Sequence, residues 1–139
     1  MRLVIDTNIV VSALFWNGAP ARLFEAVVSA DVAVISSDRL INELRSTLEK
    51  PNLATKVAAT GLPPDHWIAK YKAFCALVEP VVLPQPIAPD PDDDWVIATA
   101  VAANADLIVT GDKPLLSVGS VGSIRIVGVA QALELLGAG

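Results

Sequence analysis

Short apolar runs at RLVI (2–5), VAVI (32–35), PVVL (80–83), DLIVT (106–110) and SIRIV (123–127) are separated by longer segments whose apolar residues recur with helical spacing. A chain that alternates these two periods buries its strands between layers of helix. That is the α/β class with a mostly parallel sheet. The helical segments are NIVVSALF (8–15), ARLFEAVVS (21–29) after Gly-Ala-Pro, SSDRLINELRSTLEK (36–50), one or two helices over 53–79 broken at GLPPD, DDDWVIATAVAANA (92–105) and AQALELL (130–136). Between them, PQPIAPDP (84–91) is too rich in proline for regular structure, SVGSVGS (117–123) reads as a small-residue loop, and the closing Gly-Ala-Gly is expected to fray. The 139 residues suit one domain spanning 1–139.

Composition removes several function classes. With 53% hydrophobic and 18% charged residues the chain is expected to fold rather than remain disordered. Its charge-free run Thr7–Ala21 contains Gly18 and Pro20 and is too short for a membrane span, and Asp6 interrupts the N-terminal apolar stretch, so neither a membrane segment nor a signal peptide is expected and the cytoplasm is the default setting. One cysteine, Cys75, and one histidine, His66, cannot assemble a thiolate or imidazole metal site, and they leave little material for histidine-dependent hydrolase chemistry. Cys75, within YKAFCALV, reads as a core thiol, and His66 as a surface residue near a helix start. A net charge of -5 and a pI near 4.6 argue against a nonspecific nucleic-acid binder.

The acidic positions carry the chemistry. Asp6 directly follows LVI, which puts it at the carboxyl end of an early strand, where open α/β sheets place ligands; capping of the next helix is the competing role, open to Asp6 or Thr7. Asn8 is positioned to support Asp6 by a hydrogen bond. Asp112 ends a second apolar run in DLIVTGD, where turn chemistry is the bland alternative. Glu43 lies at the edge of the stripe Leu40, Ile41, Leu44 and Leu48, a position that either reaches a cleft or is simply solvated. In DPDDD (90–94), Asp90 as cap with Pro91 at the first helical position explains the acidic composition. Helical geometry then singles out Asp93, which projects with Val96, Ile97 and Ala100 toward the core, whereas Asp92 points away and Asp94 flanks.

Asp6, Glu43, Asp93 and Asp112 can thus converge at one sheet edge, and their repulsion calls for a divalent cation. Oxygen-only ligands suit Mg²⁺ or Mn²⁺ rather than Zn²⁺. One such ion can polarise a phosphate, and two, roughly 4 Å apart, can stabilise both the attacking and leaving oxygens of an in-line displacement. Phosphodiester hydrolysis is the reaction class that follows.

In order along the chain, VIDTNIVVSALF, SSDRLINELRSTLEK, DPDDDWVIATAVAANADLIVTGDKPLL and IRIVGVAQALELL resemble the PIN-domain family of metal-dependent ribonucleases, and more narrowly its small VapC-like members that serve as toxins of type II toxin-antitoxin systems. The resemblance implies a three-layer α/β/α PIN-like fold, Mg²⁺- or Mn²⁺-dependent endonucleolytic cleavage of RNA, a cognate antitoxin and a homodimer. It matches Asp6, Glu43, Asp93 and Asp112 to the catalytic and metal-binding acids, with Thr110 and Asn8 as supporting groups. Many relatives carry another acid where this chain has Pro114, so the ligand set of a second ion is open, with Asp94 a possible substitute. Arg39, Arg45 and Lys113, near the acids in sequence, are candidates for phosphate contacts. Two other readings stay open: a catalytically idle module that binds RNA or protein, and a phosphatase with Asp6 as nucleophile, against which Asn8 stands where haloacid-dehalogenase-type enzymes have a second aspartate.

Overall fold

The structure, a computed structural model, describes residues 1–138. Six strands form one sheet: β1 (Arg2–Ile5), β2 (Ala33–Ser36), β3 (Ala76–Leu77), β4 (Leu107–Val109), β5 (Ser120–Val121) and β6 (Ile124–Val127), in the order β3-β2-β1-β4-β6-β5. All neighbouring pairs are parallel except β5 with β6. The helices are α1 (Thr7–Phe15), α2 (Ala19–Ser29), α3 (Asp38–Leu48), α4 (Pro51–Ala59), α5 (Pro64–Phe74), α6 (Asp93–Ala102), α7 (Lys113–Val118) and α8 (Val129–Leu135). Among the described residues no helix is long and apolar enough to cross a membrane.

Each central strand is buried on both faces, as its unbroken apolar run requires. Leu3 and Ile5 of β1 and Leu107 and Val109 of β4 pack with α1, α2, α3, α4, α5 and α8 in one core. Val4 and Ile108, pointing the other way, join Val96, Ile97 and Ala100 of α6 and Leu115 of α7 in the second. These cores define the three-layer α/β/α arrangement that the family resemblance implies. Chain order reverses across β1: β2 lies on one side of it and β4 on the other. The crevice beyond the carboxyl ends of β1 and β4 is therefore the topological switch point, where such sheets bind ligands.

Three expectations fail for local reasons. PVVL is not a strand: Pro80 and Pro84 bracket it without amide donors, and Val82 is 94% exposed. The edge strand is instead Ala76–Leu77, paired with Ile35 and Ser36, inside a stretch read as helical. SVGSVGS contains the end of α7 and a hairpin whose turn uses Gly122 at a positive φ of 57°. Of the C-terminal Gly-Ala-Gly, the described Gly137 and Ala138 close α8 rather than loosening it. Gly137 takes φ 76°, its amide donates to the Glu134 carbonyl and the Ala138 amide to Leu133, so the helix end is capped by the chain that follows; Gly139 lies outside the described residues.

Helix α3 carries the one glutamate expected at the site, and its seat depends on Leu44, 2% exposed, in the larger core. Leu44→Ala is expected to cost about 2–5 kcal/mol, measured by urea unfolding.

Candidate active site

Asp6 is held on both sides. It is 6% exposed, directly beyond β1, and its amide continues the sheet by donating to the Val109 carbonyl at 2.9 Å. One carboxylate oxygen accepts from the Thr7 amide at 2.8 Å, and the other from the Thr110 hydroxyl at 2.7 Å. Asp6 is thus itself the N-cap of α1, and Thr7 is the first helical residue, so the cap falls on Asp6 rather than Thr7. Asn8 does not support it: the side chain is exposed on α1, one step past the position that faces the sheet edge, and Asp6 takes its hydrogen bonds from Thr7 and Thr110.

Thr110, wholly buried at the end of β4, is a relay. Its hydroxyl donates to Asp6 and accepts the Asp112 amide at 3.0 Å, tying the two strand-end acids together. Asp112 caps α7 with one oxygen, which accepts from the Leu115 amide at 3.2 Å. Asp93 enters from α6. One of its oxygens, Oδ2, is buried without a hydrogen-bond partner, since neither Asp93 nor Asp112 can donate when both are ionised. Burial, followed by the hydrogen bond that Asp93 and Asp112 can share only when one of them is protonated, and then by repulsion from Asp112, Asp6 and Asp90, raises the Asp93 carboxyl to about 7. Burial also raises Asp6, opposed by the bonds from Thr110 and Thr7 and reinforced by Asp112. Glu43, half-buried on α3, is raised by burial and then by Asp6 and Asp92, with Arg39 and Lys50 opposing.

The structure therefore brings Asp6, Asp93 and Asp112 together at the switch point, with Glu43 within electrostatic reach of Asp6. Among the described residues no three acidic, histidine or cysteine side chains stand at ligating distance around a single point. Repulsion among the ionised carboxylates is unfavourable, and a cation between them would reverse that balance. The unpartnered Asp93 oxygen and the all-oxygen donor set fit a hard divalent ion.

Other expected site residues are diverted. The Asp94 carboxylate accepts the amides of Ile87 and Ala88, the latter at 2.8 Å, and fastens the proline-rich segment to α6, so it does not stand in for the acid missing at Pro114. Arg45 pairs with Asp65 at the start of α5. Arg39 lies over the Trp95 ring, 4.6 Å from its centre, and shares a groove with Glu43 and Asp92. Lys113 is exposed in the first turn of α7, next to Asp112. Asp90 caps from further out than expected: its side chain accepts the Asp92 amide at 3.0 Å, and α6 begins only at Asp93.

Two hydroxyls go beyond the sequence reading. Ser37, the N-cap of α3, and Thr99 of α6 are buried and bonded to each other at 2.9 Å, which locks the helix carrying Glu43 to the helix carrying Asp93. A threonine inside the otherwise apolar VIATAVA was the available signal. Cys75 is half-buried and its thiol is pushed up to about 11 by burial, consistent with an inert packing role.

A three-layer α/β/α domain with carboxylates at the switch point defines a class of acidic-site enzyme folds. Residues 2–114 match the PIN domain, most of the chain, and the protein belongs to that family. No curated protein matches its sequence. Among solved structures, the fold is similar to a chain of VapBC2 from Rickettsia felis, crystallised bound to a DNA fragment from their promoter: TM-score 0.62, 11% identity, 92% of this chain and 98% of that one. It is also similar to a chain of VapBC-1 from nontypeable Haemophilus influenzae: TM-score 0.59, 15% identity, 94% of this chain and 99% of that one. Both likenesses show the PIN-like fold, with its mostly parallel sheet flanked by helices.

The raised Asp93 carboxyl has a signed consequence. Its folded pKa, about 7, exceeds the usual 3.8, so its contribution to stability is complete below pH ~3.8 and is lost as pH rises through 7. Without divalent metal, Asp93→Asn is expected to melt at a higher temperature than wild type at pH 8, with the gap closing toward pH 4. Asp94→Asn, whose carboxylate is satisfied by amides, is expected to gain nothing. Scanning calorimetry with chelator present measures both.

Proposed function

We propose that the protein is a Mg²⁺- or Mn²⁺-dependent endoribonuclease and the toxin of a toxin-antitoxin pair. The observation that carries this reading is the meeting of Asp6, Asp93 and Asp112 at the switch point of a PIN-domain sheet, with one Asp93 oxygen buried and unpartnered. Asp6, Asp93 and Asp112 are the residues that would hold the ion, with Glu43 at the rim. When bound, such an ion supplies charge stabilisation to the phosphodiester and eases deprotonation of a nearby water.

The chain's own groups do the rest. Thr110 and the Thr7 amide fix Asp6, so this carboxylate needs little reorganisation on meeting a ligand. Ser37 and Thr99 set the spacing between Glu43 and Asp93. Glu43, raised by burial at the edge of the open groove, is placed to take up or return a proton at its carboxylate. Arg39 is the cation of that groove and Lys113 the cation nearest Asp112, and both are suited to phosphate oxygens. Neither Pro114 nor Asp94 offers a carboxylate for a second ion, which favours a single one.

The VapBC likenesses support an antitoxin partner and, with the resemblance in sequence, a homodimer acting on RNA in the cytoplasm. Purified protein is expected to cleave RNA with Mg²⁺ or Mn²⁺ and to stop on chelation. Asp6→Asn and Glu43→Gln should lower the rate at least a hundredfold, on the order of a lost charge-stabilising group, while circular dichroism stays unchanged. An inactive wild type that binds no cation in calorimetry would leave the idle module, and a phosphoaspartate at Asp6 would point to a phosphatase.

A further inference from the structure

Trp95 has no part in the chemistry above, yet it is 39% exposed beside the acids. On α6 it follows Asp92 by three residues and so shares that residue's face, turned toward Arg39 and Glu43 of α3. It also lines a separate hollow of about 500 Å³ between α6 and the proline-rich segment, a size typical of ligand pockets. One indole thus lines both the charged groove that holds Glu43 and an open, largely apolar chamber. The chamber is built rather than incidental: Asp94 clamps the segment by two amides, the Val81 amide donates to the Ala98 carbonyl, and Leu83 and Ala88 pack into the core beneath.

Charge decides what can enter. The hollow is lined by prolines and aliphatic side chains with Gln85, Glu79 and Asp94, and no lysine or arginine is among them, so a phosphate is disfavoured there and a flat uncharged ring is favoured. The cation stands on the groove side, where Arg39 covers the indole. We propose that Trp95 and the proline-rich hollow form a subsite for an unpaired base of single-stranded RNA, next to the phosphate that Arg39 helps to hold. This deepens the ribonuclease reading and rests on it for the position of that phosphate. Base stacking on an aromatic ring is available only to a base out of a duplex, so the subsite selects single strands, loops or bulges. Gln85, which can both donate and accept, and Glu79, which accepts, are the side chains able to read the base's edge.

The test compares wild type, Trp95→Phe and Trp95→Ala on a single-stranded oligoribonucleotide with Mg²⁺, intact or with one base removed at successive positions. Trp95→Ala is expected to lower kcat/KM roughly tenfold or more, through KM, while Trp95→Phe keeps most activity and both stay folded by circular dichroism. Removing the base at one position should cost wild type a similar factor and cost Trp95→Ala nothing further. Cleavage by Trp95→Ala at the wild-type rate, or base removal that multiplies with it at every position, overturns the subsite and leaves the nuclease standing. In a Trp16→Phe, Trp67→Phe background Trp95 is the sole indole, and its fluorescence should be quenched as RNA binds. Quenching without any cleavage upholds the subsite and sinks the nuclease reading. Shielding of Trp95 by a protein ligand but not by RNA overturns the proposal.

Discussion

The hydrogen bond between the Thr110 hydroxyl and the Asp6 carboxylate is the constraint on which the acidic end of the molecule depends. A carboxylate at 6% exposure is costly unless its oxygens are met, and here the two that meet it come from different elements. The Thr7 amide belongs to α1 and the hydroxyl to the end of β4, two segments about a hundred residues apart in the chain. The same hydroxyl accepts the Asp112 amide, so one buried threonine sets the separation of the two strand-end acids. Parallel pairing of β1 with β4, Ile5 opposite Val109, puts both groups at one height, and the site inherits its geometry from the strand register.

The remaining acids show how alike residues are given different work. Asp92, Asp93 and Asp94 are consecutive, and helical rotation of about 100° per residue sends them to a groove, a buried junction and a loop. Only Asp93 keeps an unmet buried oxygen. Asp94 spends both oxygens on the Ile87 and Ala88 amides of the proline-rich segment, which joins no strand whose carbonyls could accept them. The acidic surplus is thus divided between a destabilising junction and a stabilising clamp. Such a junction is a strain the fold tolerates because both apolar cores lie directly behind it.

What was legible in the sequence follows periodicity. Strands β1, β4 and β6 are apolar runs buried on both faces, and the amphipathic stripe of α3 is plain, so the α/β class and the strand-end positions of Asp6 and Asp112 could be drawn beforehand. Helical rotation also picked Asp93 from its neighbours, and the structure does aim it inward. Edge and surface features escaped, because short strands and side-chain pairing leave little periodic trace. PVVL has the apolar content of a strand, yet the prolines at 80 and 84 deny it a ladder. Arg45 looked as available as Arg39 until Asp65, twenty residues on, claimed it. Asn8 failed for a rotational reason, since a residue one step into the helix turns away from the group it follows.

Under the proposed function, acidity and nucleic-acid chemistry are reconciled by where the negative charge sits. A net charge of -5 weakens long-range attraction for RNA, and in the proposed ribonuclease an ion held among Asp6, Asp93 and Asp112 would offset that charge where a phosphate approaches. With few cations beside the groove, RNA affinity would have to come from elsewhere, and the proposed subsite of an exposed indole against an apolar hollow would supply a contact that does not depend on charge. Recognition built this way should be less sensitive to salt than that of a basic binder, because fewer phosphate contacts release fewer counterions.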